Sequence, residues 1–217
     1  MIGICIGAQN TCIGVLKNSN VDIILSETSS RSIPTIVSFT EQERVIGDKA
    51  LSIAKSNFQK TIVSPHRFLG LVSGPVLEQE KKYSFCEPLV DDYYRACFDL
   101  DYKGTVERVT TEGVMGVFFN KIKKYWKKVG YNTNEVVVAI PDYYTCQERQ
   151  AMLDALSIAH LNPISLVNES SAISLNYGLF RRTQFDDTKP KIVGFVDMGQ
   201  SKTSIFFSTY TKNNQKV

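Results

Sequence analysis

Cysteine, histidine and tryptophan are scarce, and neither sign of charge dominates. The five cysteines (Cys5, Cys12, Cys86, Cys97 and Cys146) are an odd number with no Cys-x-x-Cys spacing, and the two histidines, His66 and His160, stand far apart. That pattern argues against a zinc site and a disulfide scaffold, and for inert thiols in a reducing compartment such as the cytoplasm. A net charge of +3 is too small to argue for nucleic acid by itself. No apolar run approaches the roughly 18 residues of a membrane span. Met1 to Ile6 enters an apolar run with no basic segment ahead of it, so nothing there reads as a signal peptide. With 7 Pro and 13 Gly, disorder is also a poor description. What is present is a hydrophobic share of 43% in 217 residues. That is ample for a packed core in one large domain or two small ones, at roughly 100–200 residues per domain.

Periodicity places the elements. Short β-rich runs are expected at Ile2–Ile6, Thr11–Leu16, Val21–Leu25 and Thr35–Phe39, the first two forming a hairpin. A short helix is expected over Asp48–Asn57, and an irregular satellite over Gly70–Asp101. Val114, Val117, Phe118, Ile122, Tyr125 and Trp126 recur at helical spacing within Thr111–Val129, with Thr110 or Thr111 as cap. Glu135–Ile140 reads as a strand stopped by Pro141. Thr145 with Glu148 three residues on is a capping-box pattern for a helix ending near His160. A strand at Ile164–Val167, a helix from Glu169 to Tyr177 ended by Gly178, and a polar connector over 181–190 follow. Ile192–Val196 and Thr203–Ser208 make a closing hairpin. Strands alternating with helices indicate an α/β fold.

The two hairpins repeat each other. Setting Gly7 on Gly199 aligns residues 4–13 with residues 196–205 without a gap. Chance likeness of two common hairpins is the plain alternative, but the second follows the connector, where a duplicated fold would restart. Successive backbone N–H groups at paired glycine turns make an anion-binding concavity, and a carboxylate at the strand end can hold a divalent cation or its waters. Asp197 occupies that strand end in the second hairpin; Cys5 occupies it in the first.

In this order the motifs resemble the nucleotide-binding domain of the 70-kDa heat-shock chaperones, an actin-like ATPase fold with a ribonuclease H-like motif. Gly3-Ile4-Cys5-Ile6-Gly7-Ala8-Gln9 is similar to the first phosphate loop, and Arg31-Ser32-Ile33-Pro34-Thr35 to the turn after the third strand. Arg44–Asp48, His66–Gly70, Ala139–Tyr144, Ala159–Pro163 and Val167–Ala172 follow in the family's order, and Phe195–Gly199 is similar to the second phosphate loop. Pro141–Thr145 and the lead-in Lys189–Val193 look most similar to the divergent 110-kDa branch, the nucleotide exchange factors of the stress response. The resemblance implies a first lobe over residues 1–188, with a small inserted subdomain at about 40–110, and the opening hairpin of a second lobe over 189–217. It implies ATP or ADP with magnesium in the complete domain, a partner heat-shock chaperone and unfolded clients, with no nucleic acid and no membrane.

By the same resemblance Glu169, Asp197, His66 and Arg67 are the catalytic candidates, and Asp197 the metal candidate. Gly7, Ala8, Gln9, Asn10, Gly199, Gln200, Ser201 and Lys202 are the nucleotide-binding candidates. Three positions depart from the active members: Cys5 stands for an aspartate, Ala8 and Gln9 for threonines, and His66 for a lysine beside the retained Arg67. A thiol is not the hard oxygen ligand magnesium prefers. Single electrostatic deletions cost roughly a hundred- to a thousandfold in rate, so hydrolysis is expected to be weakened or lost while phosphate binding survives, with Lys202 adding charge.

Plainer readings stand beside these. Cys5 is either a buried structural thiol, the preferred reading, or a redox switch. His66 is a phosphate contact or a surface residue, and His160 a structural residue at a helix end. Glu169 either orients water or merely suits a helix start. Lys121, Lys123, Lys124, Lys127 and Lys128 read as a solvated helix face rather than a nucleic-acid surface. The aromatics Tyr83, Phe85, Tyr93, Tyr94 and Phe98 fit a partner surface or ordinary packing. In function, the rivals to an exchange factor are a slow ATPase folding chaperone, an actin-like or sugar-kinase relative and a nucleotide-free scaffold.

Overall fold

The computed structural model describes residues 1–17, 20–102, 104–186, 188–212 and 215–216. In chain order the first half comprises β1 (Ile2–Ile6), β2 (Asn10–Lys17), β3 (Asn20–Ile23), β4 (Ile33–Pro34), β5 (Ile36–Phe39), β6 (Arg44–Ile46), α1 (Gly47–Ile53), β7 (Thr61–Val63), α2 (Pro75–Lys81), β8 (Leu89–Val90), β9 (Ala96–Tyr102) and β10 (Thr105–Thr110). The second half comprises α3 (Thr111–Lys128), β11 (Glu135–Ile140), α4 (Cys146–Ile158), β12 (Asn162–Asn168), α5 (Glu169–Leu179), β13 (Lys191–Met198), β14 (Thr203–Tyr210) and β15 (Gln215–Lys216).

The central sheet has the order β12-β11-β1-β2-β3, with β4 beside β2. β12, β11 and β1 run parallel, and β2 returns antiparallel as the hairpin partner of β1. Alternation decides its two faces. Ile2, Ile4 and Ile6 of β1, Ile13 and Val15 of β2, and Val136, Val138 and Ile140 of β11 are all buried on one side. There α3 presents Val114, Met115, Phe118, Phe119, Ile122 and Trp126, and α4 presents Ala151, Met152, Ala155 and Leu156. Each large apolar side chain so buried contributes about 1.5–3 kcal/mol. The other side carries Gly3, Cys5, Cys12 and Gly14, and α5 packs beyond it against β11, β12 and β14. This division leaves the Cys5 side of the sheet free to line a cavity.

The helix starts are built as the sequence indicates. Thr110 caps α3 by accepting from the Gly113 amide, and the Thr145–Glu148 capping box is formed at α4. His160, with φ of 52°, ends α4 in the left-handed region. Three expectations are corrected. The irregular satellite over Gly70–Asp101 contains α2 and a three-stranded sheet β10-β9-β8, in which Ala96, Cys97, Phe98 and Leu100 are buried while Asp99 and Asp101 are not. Gly178 lies inside α5, which continues to Leu179. The α3 lysines are not all solvated: Lys123 is buried and donates to the carbonyls of Ala159 and His160 at 3.2 and 3.0 Å, tying α3 to the end of α4. The closing hairpin β13–β14 is present, longer than expected at both ends. Asp187, in the connector expected over 181–190, lies outside the described residues, as do residues 213, 214 and 217 of the second-lobe segment.

Tyr83, Phe85, Tyr93 and Tyr94 are exposed whereas Phe98 is buried, so the aromatic segment is divided between packing and surface. Gly70 joins the segment carrying His66 to the start of α4. Its φ is +65°, and a Cβ there would lie 2.8 Å from Glu148 Cα. Left-handed geometry alone costs a non-glycine residue about 1–2 kcal/mol. Gly70→Ala is therefore expected to lower unfolding free energy by at least about 2 kcal/mol in urea titration; an unchanged midpoint would show that this junction is not tightly packed.

Candidate functional site

The β1–β2 and β13–β14 hairpins turn in the same way. Gly7 N donates to Asn10 O at 2.9 Å, and Gly199 N donates to Lys202 O at 2.8 Å, leaving Ala8-Gln9 and Gln200-Ser201 as two-residue tips. A Cβ on Gly7 would stand 2.7 Å from the Asn10 carbonyl oxygen, so only glycine permits that closure. The first tip is held from behind. Thr35 Oγ1 donates to Gly7 O at 2.8 Å, Thr35 N donates to Gln9 O at 2.9 Å, and the Ser64 hydroxyl donates to Ala8 O. With these carbonyls engaged, the amides of Ala8 and Gln9, like those of Gln200 and Ser201, donate to no backbone acceptor among the described residues.

Both tips open on one cavity of about 390 Å³. Cys5, Gly7, Ala8, Gln9, Asn10, His66, Glu169, Asp197, Gly199, Gln200, Ser201 and Lys202 all line it, together with Ala139, Pro141, Tyr143, Ala172 and Ile173. That volume falls within the usual range for small-molecule sites. Glu169 is the first residue of α5, whose start is fixed from two sides. Asp142 accepts from the amide and the hydroxyl of Ser170, and Arg149 donates to Asn168 Oδ1 at 2.8 Å. Lys202 Nζ reaches across from the second hairpin to pair with the Glu169 carboxylate, and lies 5.2 Å from the Tyr143 ring centroid.

Eleven of the twelve sequence candidates thus share a cavity, and Cys5 stands on its wall. Arg67 is the exception. Its guanidinium forms a two-pronged ion pair with Glu80 of α2, and it lines neighbouring cavities instead. Glu80 holds its pKa above the usual arginine value. Cys5 also departs from expectation: it is exposed toward the cavity rather than a buried thiol. Surrounding protein, followed by the charges of Glu169 and Asp197, still pushes its pKa up to about 11. His66, in contrast, is buried rather than a surface residue, and its Nδ1 has no hydrogen-bond partner among the described residues. Sequence reasoning missed Thr35, Ser64, Tyr143 and Asp142 as parts of the site. Ser64 has φ of 51° immediately before Pro65, and that bend aims both its hydroxyl and the His66 segment inward.

The free tip amides and the Lys202 ammonium suit a polyphosphate. Among the described residues no cluster of three or more His, Cys, Asp or Glu is arranged to hold a metal ion by itself. Of the two cavity carboxylates, Glu169 is held by Lys202, which leaves Asp197 to face a cation. A divalent cation therefore fits only as a shared ligand of Asp197 and phosphate oxygens, as is usual for magnesium.

Burial above all, with smaller contributions from Arg67 and Lys202, pushes the His66 imidazole down to about 3. The unfolded chain takes up this proton near pH 6.5, but the folded chain does so only near 3. The unfolded state therefore binds more protons between these limits, and stability is lost as pH is lowered, by about 1.4 kcal/mol per unit from this group. Urea unfolding between pH 5.5 and 4, where the unfolded imidazole is mostly protonated and the folded one is not, should show a slope in the wild type that is flatter by about that amount in His66→Gln. Equal slopes would mean that His66 is solvated.

The Hsp70 protein family model matches residues 1–210. Heat shock protein 88 of Dictyostelium discoideum is 33% identical over 219 residues, covering 100% of this chain and 28% of that protein. The heat shock protein hsp88 of Neurospora crassa is 30% identical over 223 residues, covering 100% of this chain and 31% of that protein. Heat shock 70 kDa protein 16 of Arabidopsis thaliana is 26% identical, covering 100% and 29%. The chain thus spans about a third of the length of these relatives. The first two agree with the expected likeness to the 110-kDa branch. With the family match over 210 residues and the paired glycine turns facing one cavity, the chain belongs to the Hsp70 family, and its α/β fold is that family's actin-like ATPase fold.

Proposed function

We propose that residues 1–188, with an inserted subdomain at about 40–110, are the first lobe of a nucleotide-binding domain and that residues 189–217 open its second lobe. In this reading the domain binds ATP or ADP with magnesium and serves a cytoplasmic co-chaperone that releases nucleotide from a partner heat-shock chaperone bound to unfolded clients. The observation that carries it is the pair of glycine turns lining one cavity, with Lys202 of the second turn among its lining residues. The free thiols favour a reducing compartment. No helix among the described residues is long and apolar enough to cross a membrane.

The groups in the cavity serve binding better than hydrolysis. The tip amides of Ala8, Gln9, Gln200 and Ser201 hold phosphate oxygens, and Lys202 supplies a cation from the second hairpin. Asp197 would hold magnesium, which when bound neutralises phosphate charge. On the hydrolytic side, Cys5 offers a protonated thiol where a carboxylate is expected, and His66 a neutral imidazole where a cation is expected. Glu169, the residue to orient water, is engaged by Lys202. Each such loss costs roughly a hundred- to a thousandfold in rate. The same ion pair supports one rival, a nucleotide-free scaffold whose cleft is neutralised from within.

A phosphate-directed charged contact contributes about 1.5–3 kcal/mol. In the chain carried through its second lobe, Lys202→Ala should therefore weaken ATP binding by at least about tenfold by calorimetry. Unchanged affinity would remove Lys202 from the phosphate site. The same wild-type protein should accelerate ADP release from a 70-kDa partner chaperone in a fluorescent-nucleotide chase, and an unaltered release rate would exclude exchange activity. Steady-state hydrolysis abolished by Asp197→Ala would favour the slow ATPase instead.

A further inference from the structure

Cys5 and Cys12 face each other directly across the first hairpin. Their neighbours Ile4, Ile6, Thr11 and Ile13 are buried on the helix side of the sheet, so strand alternation puts both cysteines on the cavity side. Cys5 is exposed, Cys12 is half-buried, and neither is bonded. Gly7 and Asn10 form a hydrogen-bonded pair at the turn. Counting two positions back along each strand makes Cys5 and Cys12 a hydrogen-bonded pair too, with Cα atoms about 5.5 Å apart. That Cα separation lies within the span a disulfide bridges, although the Cβ atoms of a hydrogen-bonded pair, about 5.5 Å apart, must draw closer by roughly 1–1.5 Å. A bridge closed under such strain is readily reduced, as a reversible site requires.

We propose that Cys5 and Cys12 form an oxidisable dithiol on the cavity side of the first hairpin, closed to an intramolecular disulfide by a small-molecule disulfide. The Cys5 thiolate attacks one sulfur of the reagent. The reagent's S–S bond breaks, Cys5 carries a mixed disulfide, and the departing small thiolate takes up a proton. Cys12, as thiolate, then attacks the Cys5 sulfur, forms the Cys5–Cys12 bond and expels the second small thiolate, which is protonated in turn. Two cysteine thiols are oxidised, one reagent disulfide is reduced to two thiols, and the protons released by the cysteines balance those taken up. Glu169, Asp197, Lys202 and His66 face Cys5 in the cavity. Its raised pKa makes the first step slow at neutral pH.

The chain itself tests this. Lys17 is the first lysine or arginine, so trypsin leaves Cys5 and Cys12 together in one peptide, residues 1–17, without any other cysteine. The folded wild-type chain is treated with oxidised glutathione at mildly alkaline pH, the remaining thiols are alkylated, and the digest is weighed. Peptide 1–17 is expected two hydrogens lighter, unalkylated and free of glutathione, while the exposed Cys146 carries glutathione as an internal control. In Cys12→Ser the peptide should instead retain glutathione on Cys5. Once Cys5 carries glutathione, closure by Cys12 should be at least about tenfold faster in the folded chain than in denaturant, because the strand register holds the two sulfurs together. Peptide 1–17 doubly alkylated or doubly glutathionylated while Cys146 reacts would overturn the proposal. So would equal closure rates in the folded and denatured chains.

Discussion

The whole site depends on how the first hairpin tip is held. The carbonyls of Gly7, Ala8 and Gln9 point backward because Thr35 and Ser64 donate to them, and the amides are thereby turned toward the cavity. Thr35 is itself fixed by a buried hydroxyl contact with Thr11 at 2.9 Å. Ser64 takes a left-handed conformation at the point where the chain turns to carry His66 into the wall. One local arrangement therefore sets both the anion-facing amides and the nearest titratable ring.

Charge then distinguishes holding a ligand from reacting with it. Lys202 belongs to the second hairpin and Glu169 to the helix following β12, so their ion pair ties the second hairpin to the start of α5. It also occupies the carboxylate that the family resemblance assigns to water. Burial works in the same direction on two other groups: it keeps the Cys5 thiol protonated and the His66 imidazole neutral across the physiological range. A cavity with these properties retains directional N–H donors and the Lys202 ammonium while lacking much of the charge that phosphoryl transfer requires.

The outline was legible in the sequence because its signals are local. Glycine turns, the Thr145 capping box and the helical spacing around Trp126 each lie within one element, and the hairpin repeat needed only a gapless alignment of Gly7 with Gly199. What stayed hidden depends on contacts between distant residues. Arg67 is drawn away from the cavity by Glu80, thirteen residues on, and nothing in the spacing shows that α2 brings them together. Strands β9 and β10 were masked by the prolines and aromatics before them, although their cross-strand pair Asp99–Arg108 is plain once the register is known. The exposure of Cys5 follows from which side of the sheet the helices cover, and short apolar strands do not reveal that by composition. The strained bend at Ser64 likewise has no sequence mark beyond the proline that follows it.

The most direct measurement is calorimetric titration of ATP with magnesium into the protein carried through its second lobe, with steady-state phosphate release followed in the same preparation. Saturable one-to-one binding with phosphate release at or near background is the expected result, since the turn amides and Lys202 persist while the catalytic charges are lost. No binding heat from a folded protein would contradict the account and leave an actin-like scaffold in its place.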